Sequence, residues 1–303
     1  MSLPVFALVE DIRAELDALR RRERSLSVVP TMGALHAGHQ ALIRRARELA
    51  DEVVVTVFVN PTQFGPSEDF EKYPRNLEAD RRLAEEAGAT LLFAPQAREI
   101  YPTGDQTRVS VGALAEGLCG ASRPGHFTGV ATVVSKFFAL FAPATFVFGQ
   151  KDYQQLKVLE RVAKDLLFPL TIEGHPVVRE ADGLAQSSRN VYLSARERTA
   201  ALGISKALAS AQAAFLAGER APEALVAAAL RVLGSHELAV EYVELRDADT
   251  LGPAVPSKNE PSKNEPSKNE PSKKWVLLVA ARSGSTRLID NTILGHDPAL
   301  RGP

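Results

Sequence analysis

Two histidines three residues apart close the string Pro30-Thr31-Met32-Gly33-Ala34-Leu35-His36-Ala37-Gly38-His39. Imidazoles at such a spacing can donate hydrogen bonds to phosphate oxygens, or carry charge while a pyrophosphate leaves. A bare His-x-x-His pair is equally compatible with a metal site or with two surface histidines. No third ligand of the usual zinc-site kind lies near in sequence. The context favours phosphate. Leu26 to Val29 is an apolar run that reads as a buried strand, ended at Pro30, which has no N–H to give a ladder. Gly33 and Gly38 allow a tight turn and a close backbone approach. From His39 onward Leu42, Ile43, Ala46, Leu49 and Ala50 recur at helical spacing. A strand C-end meeting a helix N-terminus offers free backbone N–H groups and the positive end of a dipole.

Four further strings carry groups of the same kind. Asn60 and Gln63, in Phe58-Val-Asn-Pro-Thr-Gln-Phe64, place neutral amides after a second strand. Amides donate and accept, so they match hydroxyls and carboxylates, although Asn-Pro by itself is ordinary turn chemistry. Arg123-Pro-Gly-His126-Phe-Thr-Gly129 is a glycine-containing loop entering a helix, and its arginine can hold phosphate in two places at once. In it, His126 reads equally as a structural hydrogen-bonder and as a ligand. Gly149-Gln-Lys151-Asp152-Tyr-Gln-Gln155 sets a mobile point charge beside a carboxylate, with Gln155 one helical turn beyond Lys151. Asp152 could serve a ribose hydroxyl, a magnesium ion or only Lys151. Gln186-Ser187-Ser188-Arg189-Asn190 offers two hydroxyls and a guanidinium that can follow negative charge onto a leaving group.

His36-Ala37-Gly38-His39 resembles the HxGH signature of the nucleotidyltransferase superfamily that includes class I aminoacyl-tRNA synthetases, and Gln186–Asn190 resembles its second, KMSKS-type loop in a Ser-Ser-Arg form. The longer strings, with Tyr73-Pro-Arg75, Asp182-Gly-Leu and Val191-Tyr-Leu-Ser194, are similar to those of the pantoate-β-alanine ligase family. The resemblance covers the chain outside a short repeat. It implies condensation of pantoate with β-alanine through a pantoyl adenylate, with ATP and Mg2+, in a cytoplasmic homodimer without nucleic-acid or membrane partners. It also implies roles for His36, His39, Lys151 and Arg189 in the chemistry. ATP contacts would come from Pro30, Thr31, Met32, Gly33, His36, His39, Arg123, Gly149, Lys151, Asp152, Val178, Gln186, Ser187, Ser188 and Arg189. Contacts to the acid and amine substrates would come from Asn60, Gln63, Tyr73 and Gln155. No protein side chain is assigned to a resident metal. Gln186 departs from the family pattern, which has an aliphatic residue there, usually leucine or methionine. Another HxGH enzyme that adenylylates a phosphorylated acceptor would need a cationic pocket, which the Asn60/Gln63 amides do not offer. A non-catalytic nucleotide binder would be expected to lack His39, Lys151 or Arg189.

These residues need a frame. Leu8, Ile12, Leu16 and Leu19 mark a first amphipathic helix. Val53–Val59, Thr90–Phe93 and Thr145–Phe148 read as further strands, alternating with helices over Asn76–Ala87, Gly129–Phe141 and Tyr153–Leu166. That alternation predicts a Rossmann-like parallel α/β sheet with ligands beyond the strand C-ends. After about residue 175 the pattern changes to alanine-rich helices, Ala195–Ala217 and Pro222–Leu233, and then strands at Val240–Leu245, Trp275–Ala281 and Thr286–Ile289. The expected organisation is residues 1–175, binding ATP and pantoate, followed by a smaller α+β domain over 176–303.

Composition sets outer bounds. The 303 residues carry a net charge of −1, which gives no electrostatic pull toward nucleic acid or anionic lipid. The single cysteine, Cys119, cannot form an internal disulfide, and its mostly apolar neighbourhood suits a packed residue. The start of the chain shows no basic-then-apolar leader pattern. Pro256-Ser-Lys-Asn-Glu repeats at Pro261 and Pro266 and, truncated, at Pro271. With no apolar residue, this 256–274 segment has nothing to bury and reads as a solvated passenger loop foreign to the family pattern. Because loop closure costs only about 0.6 kcal/mol per doubling of length, shortening the repeat to a few residues is expected to leave melting temperature and turnover unchanged. A large loss of either would show that it packs against or binds something.

Overall fold

The computed structural model describes residues 2–65, 70–255 and 274–297, and the repeat from Pro256 to Lys273 lies outside the described residues. The chain divides into Met1–Val178 and Arg179–Pro303.

The first unit is built on a six-stranded sheet. Its strands are β1 (Val5–Phe6), β2 (Leu26–Thr31), β3 (Glu52–Val57), β4 (Leu91–Phe93), β5 (Thr145–Gly149) and β6 (Thr171–His175), in the order β1-β4-β3-β2-β5-β6. Every pairing is parallel. The valine-rich cores of β2 and β3 are shielded on both faces, as parallel strands covered by helices must be. The chain winds from β2 outward through β3 to β4, then crosses to the other flank at β5. The strand order therefore reverses beside β2, where open α/β sheets bind ligands.

Helices α1 (Val9–Arg21), α2 (Ala37–Leu49), α3 (Leu77–Glu86), α4 (Ala97–Ile100), α5 (Cys119–Ser122), α6 (His126–Phe141) and α7 (Tyr153–Asp165) complete the unit. Ile43 and Ala46 of α2 and Ala84 of α3 enter one core with Val29, Val53, Val55 and Leu92. Helix α6 is apolar nearly all round and correspondingly buried. Its Phe137 and Phe141 rings meet Phe93 edge-on at 6.3 and 5.9 Å, and Phe138 meets Phe146 at 4.7 Å.

Several expectations shift here. Pro30 does not end β2: the ladder with β3 runs on to Thr31 opposite Val57, while the ladder with β5 stops at Val28. The missing N–H thus falls beyond the last rung on one side only. Helix α2 begins at Ala37 rather than His39, so Gly38 lies in its first turn. Strands β1 and β6 have no counterpart in the sequence reading. One is two residues long, and the other, Thr-Ile-Glu-Gly-His, is an edge strand without an apolar run.

The second unit packs α8 (Ala195–Leu216) and α9 (Pro222–Leu233) on an antiparallel sheet of β7 (Ala239–Asp247), β8 (Trp275–Ser283) and β9 (Thr286–Ile293). Alanines of both helices and Leu225, Leu277 and Val279 form its core. A capping box between Ser194 and Glu197 starts α8. No helix among the described residues is long and apolar enough to cross a membrane.

One glycine fixes how α6 meets the loop after β3. A Cβ on Gly129 would stand 2.3 Å from the Thr62 carbonyl oxygen and 2.7 Å from the Gln63 Cα, both backbone atoms that cannot swing away. Gly129→Ala is expected to destabilise the protein by about 1–3 kcal/mol through overpacking. A melting curve superimposed on that of the parent would refute this close fit.

Candidate functional site

The turn between β2 and α2 is tied down by two of its own side chains and one from α3. Thr31 Oγ1 accepts from Gly33 N at 3.1 Å and donates to the Thr56 carbonyl at 2.6 Å. Asp80, on α3 and buried, accepts from Ala34 N at 3.1 Å and from Leu35 N at 2.7 Å. His36 caps α2 by accepting from Gly38 N through Nδ1 at 3.1 Å. These bonds correct the expectation of free amides at this junction: the N–H groups of residues 33, 34, 35 and 38 are already satisfied. What the junction offers an anion is its two imidazoles and the helix dipole rather than that set of amides.

The His36 and His39 rings lie 4.1 Å apart. Nδ1 of His39 is buried and has no hydrogen-bond partner. Burial holds the His39 pKa well below its ordinary value, and the nearby His36 and Lys151 charges lower it further. Of the two roles open to an imidazole, donation or carrying charge, His39 is therefore suited to donation from a neutral ring. Strands β2 and β5 are parallel neighbours, so their C-ends lie side by side, and the Lys151 charge is near enough to lower the His39 pKa. Lys151 Nζ stands 3.8 Å from Asp152 Oδ2, so one of the three partners open to Asp152, its own neighbour, is within reach. Gly149 has an unremarkable φ of −79° and a Cβ there would touch only Leu42, at 3.9 Å, so packing does not demand glycine.

The β3 end carries a second polar cluster. Asn60 is 1% exposed and fully committed: its Nδ2 donates to Gln63 Oε1 at 3.0 Å and to the Gly129 carbonyl at 3.1 Å. Its Oδ1 accepts from Thr62 and, at 2.8 Å, from the Tyr101 hydroxyl. Asn60 is thus spent on aiming Gln63, whose Nε2 lies 2.8 Å from Met32 Sδ and so joins this cluster to the β2–α2 turn. The Gln63 carbonyl accepts from His126 Nδ1 at 2.9 Å. Since a carbonyl only accepts, His126 Nδ1 carries the proton, and Nε2 accepts from Arg123 Nη1 at 3.0 Å. His126 is buried, and its structural reading holds in this geometry. Arg123 is brought to the Gln63 loop by this chain of bonds. Tyr73 is buried with its ring edge-on to Phe64, 6.0 Å between centroids.

Gln155 is half-buried on α7. Its neighbour Gln154 is buried and holds the segment leading into α5 through Cys119 N, Leu114 O and Gly117 O. Cys119 is buried, as its apolar neighbourhood implied. Val178 ends the first unit and is half-buried. In the second unit, Ser187 caps a short turn by accepting from Arg189 N at 3.3 Å. Asn190 fastens that turn through Glu180 at 2.6 Å and the Ala185 carbonyl at 3.0 Å. Gln186 and Ser188 are half-buried beside it. Sequence reasoning missed Asp80 and Tyr101. For Asp80 a signal existed: a carboxylate stands on the same helical stripe as Leu83, Ala84 and Ala87.

A doubly wound parallel sheet with imidazoles and a lysine gathered where its strand order reverses defines the class of α/β proteins that bind nucleotides at their strand C-ends. Within that class, the chain belongs to the pantoate-β-alanine ligase family, whose model matches residues 4–293. It is 50% identical over 298 residues to a pantothenate synthetase of Myxococcus xanthus, covering 98% of each chain. It is 48% identical over 290 residues to one of Geobacter sulfurreducens, covering 95% of this chain and 98% of that one. Among solved structures, the pantothenate synthetase of Thermus thermophilus superimposes with a TM-score of 0.85 at 42% identity, covering 96% of this chain and 99% of that one. A Francisella tularensis pantoate-β-alanine ligase, complexed with β,γ-ATP and β-alanine, gives 0.74 at 28% identity over 98% and 99% of the two chains.

The His39 environment sets a pH dependence. Its folded pKa lies below the ordinary 6.5, so as pH falls past that value the unfolded chain takes up the proton first. The associated stability is complete above about pH 6.5 and declines as pH falls toward the folded value. His39 ring resonances are expected to stay flat through that pH in a folded-state NMR titration, and His39→Gln should remove this part of the acid-side decline. A ring titrating near 6.5 would overturn the assignment.

Proposed function

We propose that this protein, a ligase by family, joins pantoate to β-alanine at the expense of ATP, with His36, His39 and Lys151 as its phosphate-handling groups. The observation that carries the reading is the meeting of these three side chains at the strand-order reversal in a chain of this family. The pantoate carboxylate attacks the α-phosphorus of ATP; the bond to the β-phosphate oxygen breaks and pyrophosphate leaves with the electron pair. The β-alanine amine then attacks the acyl carbon, AMP departs, and the amine surrenders a proton to give pantothenate.

No side chain is acylated in this scheme. The work is positioning and stabilisation of charge as it develops, which preorganised donors do well in a partly water-excluded site. His39, held neutral, donates to the departing phosphates, and Lys151 supplies a fixed positive charge. Pro30, Thr31, Met32, Gly33, Gly149 and Asp152 line the nucleotide's path, the last through a ribose hydroxyl or through magnesium. Ser187, Ser188 and Arg189, with Gln186 and Val178, are assigned to ATP on their motif alone. Gln63, Gln155 and Tyr73 hold the acid substrate. Asn60 aims Gln63, and Arg123 stands by the same loop.

Among the described residues no group of three or more His, Cys, Asp or Glu could hold a metal. Asp152, beside Lys151, would be the carboxylate for a magnesium ion carried on the nucleotide, an ion that binds through one or two carboxylates plus substrate phosphates. Bound there, magnesium would neutralise phosphate charge. A cytoplasmic homodimer is the assembly this family reading proposes.

Exchange of labelled pyrophosphate into ATP tests the reading. It is expected with pantoate and magnesium but without β-alanine, and Gln63→Ala should weaken it through pantoate dependence, by about 1–3 kcal/mol for an unpaired buried polar group. Exchange that strictly requires β-alanine would exclude a free adenylate. A Gln63 effect confined to ATP would move the acid pocket elsewhere.

A further inference from the structure

Asp80 lies outside every string that first drew attention to this chain, yet it touches the turn from which both histidines project. Its two oxygens take the N–H groups of Ala34 and Leu35, at 3.1 and 2.7 Å. That turn is held in an uncommon shape. Gly33 has φ +82° and Ala34 has φ +50°, and the second is a conformation that a residue with a Cβ adopts only when its surroundings impose it. The fit on the other side is equally tight: a Cβ at position 33 would stand 2.8 Å from Asp80 Oδ2 and 3.0 Å from Val57 Cγ1.

The carboxylate is mounted on a fixed support. Asn76 caps α3 by accepting from Ala79 N at 3.1 Å, Arg81 Nε donates to the Leu3 carbonyl at 2.9 Å, and Gln40 Nε2 of α2 reaches the Leu83 carbonyl of α3 at 3.3 Å. Asp80 therefore sits on a helix braced against both the sheet edge and the histidine-bearing helix. Only 3% exposed, its carboxylate is shielded from water, and its contact with the turn is two backbone hydrogen bonds immediately upstream of His36.

We propose that Asp80 is a positioning residue for adenylate formation: by clamping Ala34 and Leu35 it enforces the left-handed turn that sets where His36 and His39 stand. This rests on the phosphate role given to those histidines above. Aspartate suits the task because both turn groups are donors and both of its oxygens accept. Asparagine, nearly the same shape, would aim an NH2 at an N–H. Without the clamp, Ala34 relaxes toward ordinary backbone angles and carries the His36 cap with it.

The test compares the parent with Asp80→Asn, Asp80→Ala and Asp80→Ala/Ala34→Gly. It reads pyrophosphate exchange per folded molecule, the pantoate KM, and His36 and His39 ring resonances. Exchange by the parent must first be present, so failure there counts against the reaction and not against the clamp. Asp80→Asn is expected to stay folded and to lose exchange on the order of 10- to 100-fold in kcat, as small misplacements of reacting groups do, with the pantoate KM little changed and the two ring resonances shifted. Glycine at position 34 adopts the left-handed conformation without strain. It should therefore recover several-fold of the activity lost in Asp80→Ala, or restore folding if that variant fails to fold. Parental kcat in Asp80→Asn, unmoved histidine resonances, or a double variant no better than Asp80→Ala would each overturn the proposal.

Discussion

All six strands of the first unit's sheet run in the same direction, so every strand C-end opens on one edge, and β2 lies where the winding changes flank. The connection from β4 has to cross to the far side, which opens a crevice at that edge between β2 and β5. The polar groups gathered there follow from this constraint. The turn after β2, the loop after β3 and the segment after β5 all discharge onto the same edge, and a ligand placed there meets residues from three distant parts of the chain.

Such an edge is expensive to leave ragged. A buried N–H or C=O without a partner costs about 1–3 kcal/mol, so the loops here are closed by side chains, some their own and some from distant elements. Thr31, Asp80 and His36 close the first turn. Asn60, Tyr101, His126 and Arg123 close the second around Gln63. Such closure makes a site rigid before any ligand arrives, and rigid donors stabilise developing charge without reorganising. His39 is the exception that gives the arrangement its chemical interest. Its Nδ1 is buried without a partner, and burial, with the nearby His36 and Lys151, holds its pKa well below the ordinary value.

Much of this was readable in one dimension. Hydrophobic runs with β-branched residues announced β2, β3 and β5, and the 3.6-residue period announced α1 and α2, because burial on a sheet or along a helix stripe leaves a pattern whatever the fold. Strands β1 and β6 left no such pattern: a two-residue strand and an edge strand bury too little. Pro30 misled for a related reason, since whether a missing N–H breaks a ladder depends on which neighbour that N–H would have faced.

The sequence by itself determined the chemistry available. The order of His36, His39, Gln63, Lys151 and Ser187–Arg189 along a βα alternation was enough to indicate phosphate chemistry at strand C-ends and to mark the family. Only tertiary structure decided how those groups are held. That Asn60 is spent on Gln63, that His126 donates to a backbone carbonyl, and that a carboxylate 44 residues beyond His36 (80 − 36) secures the turn before it are all contacts that the folded chain makes. No local pattern records them, because a hydrogen bond's partner is chosen by the packing of elements that meet only after the chain has folded.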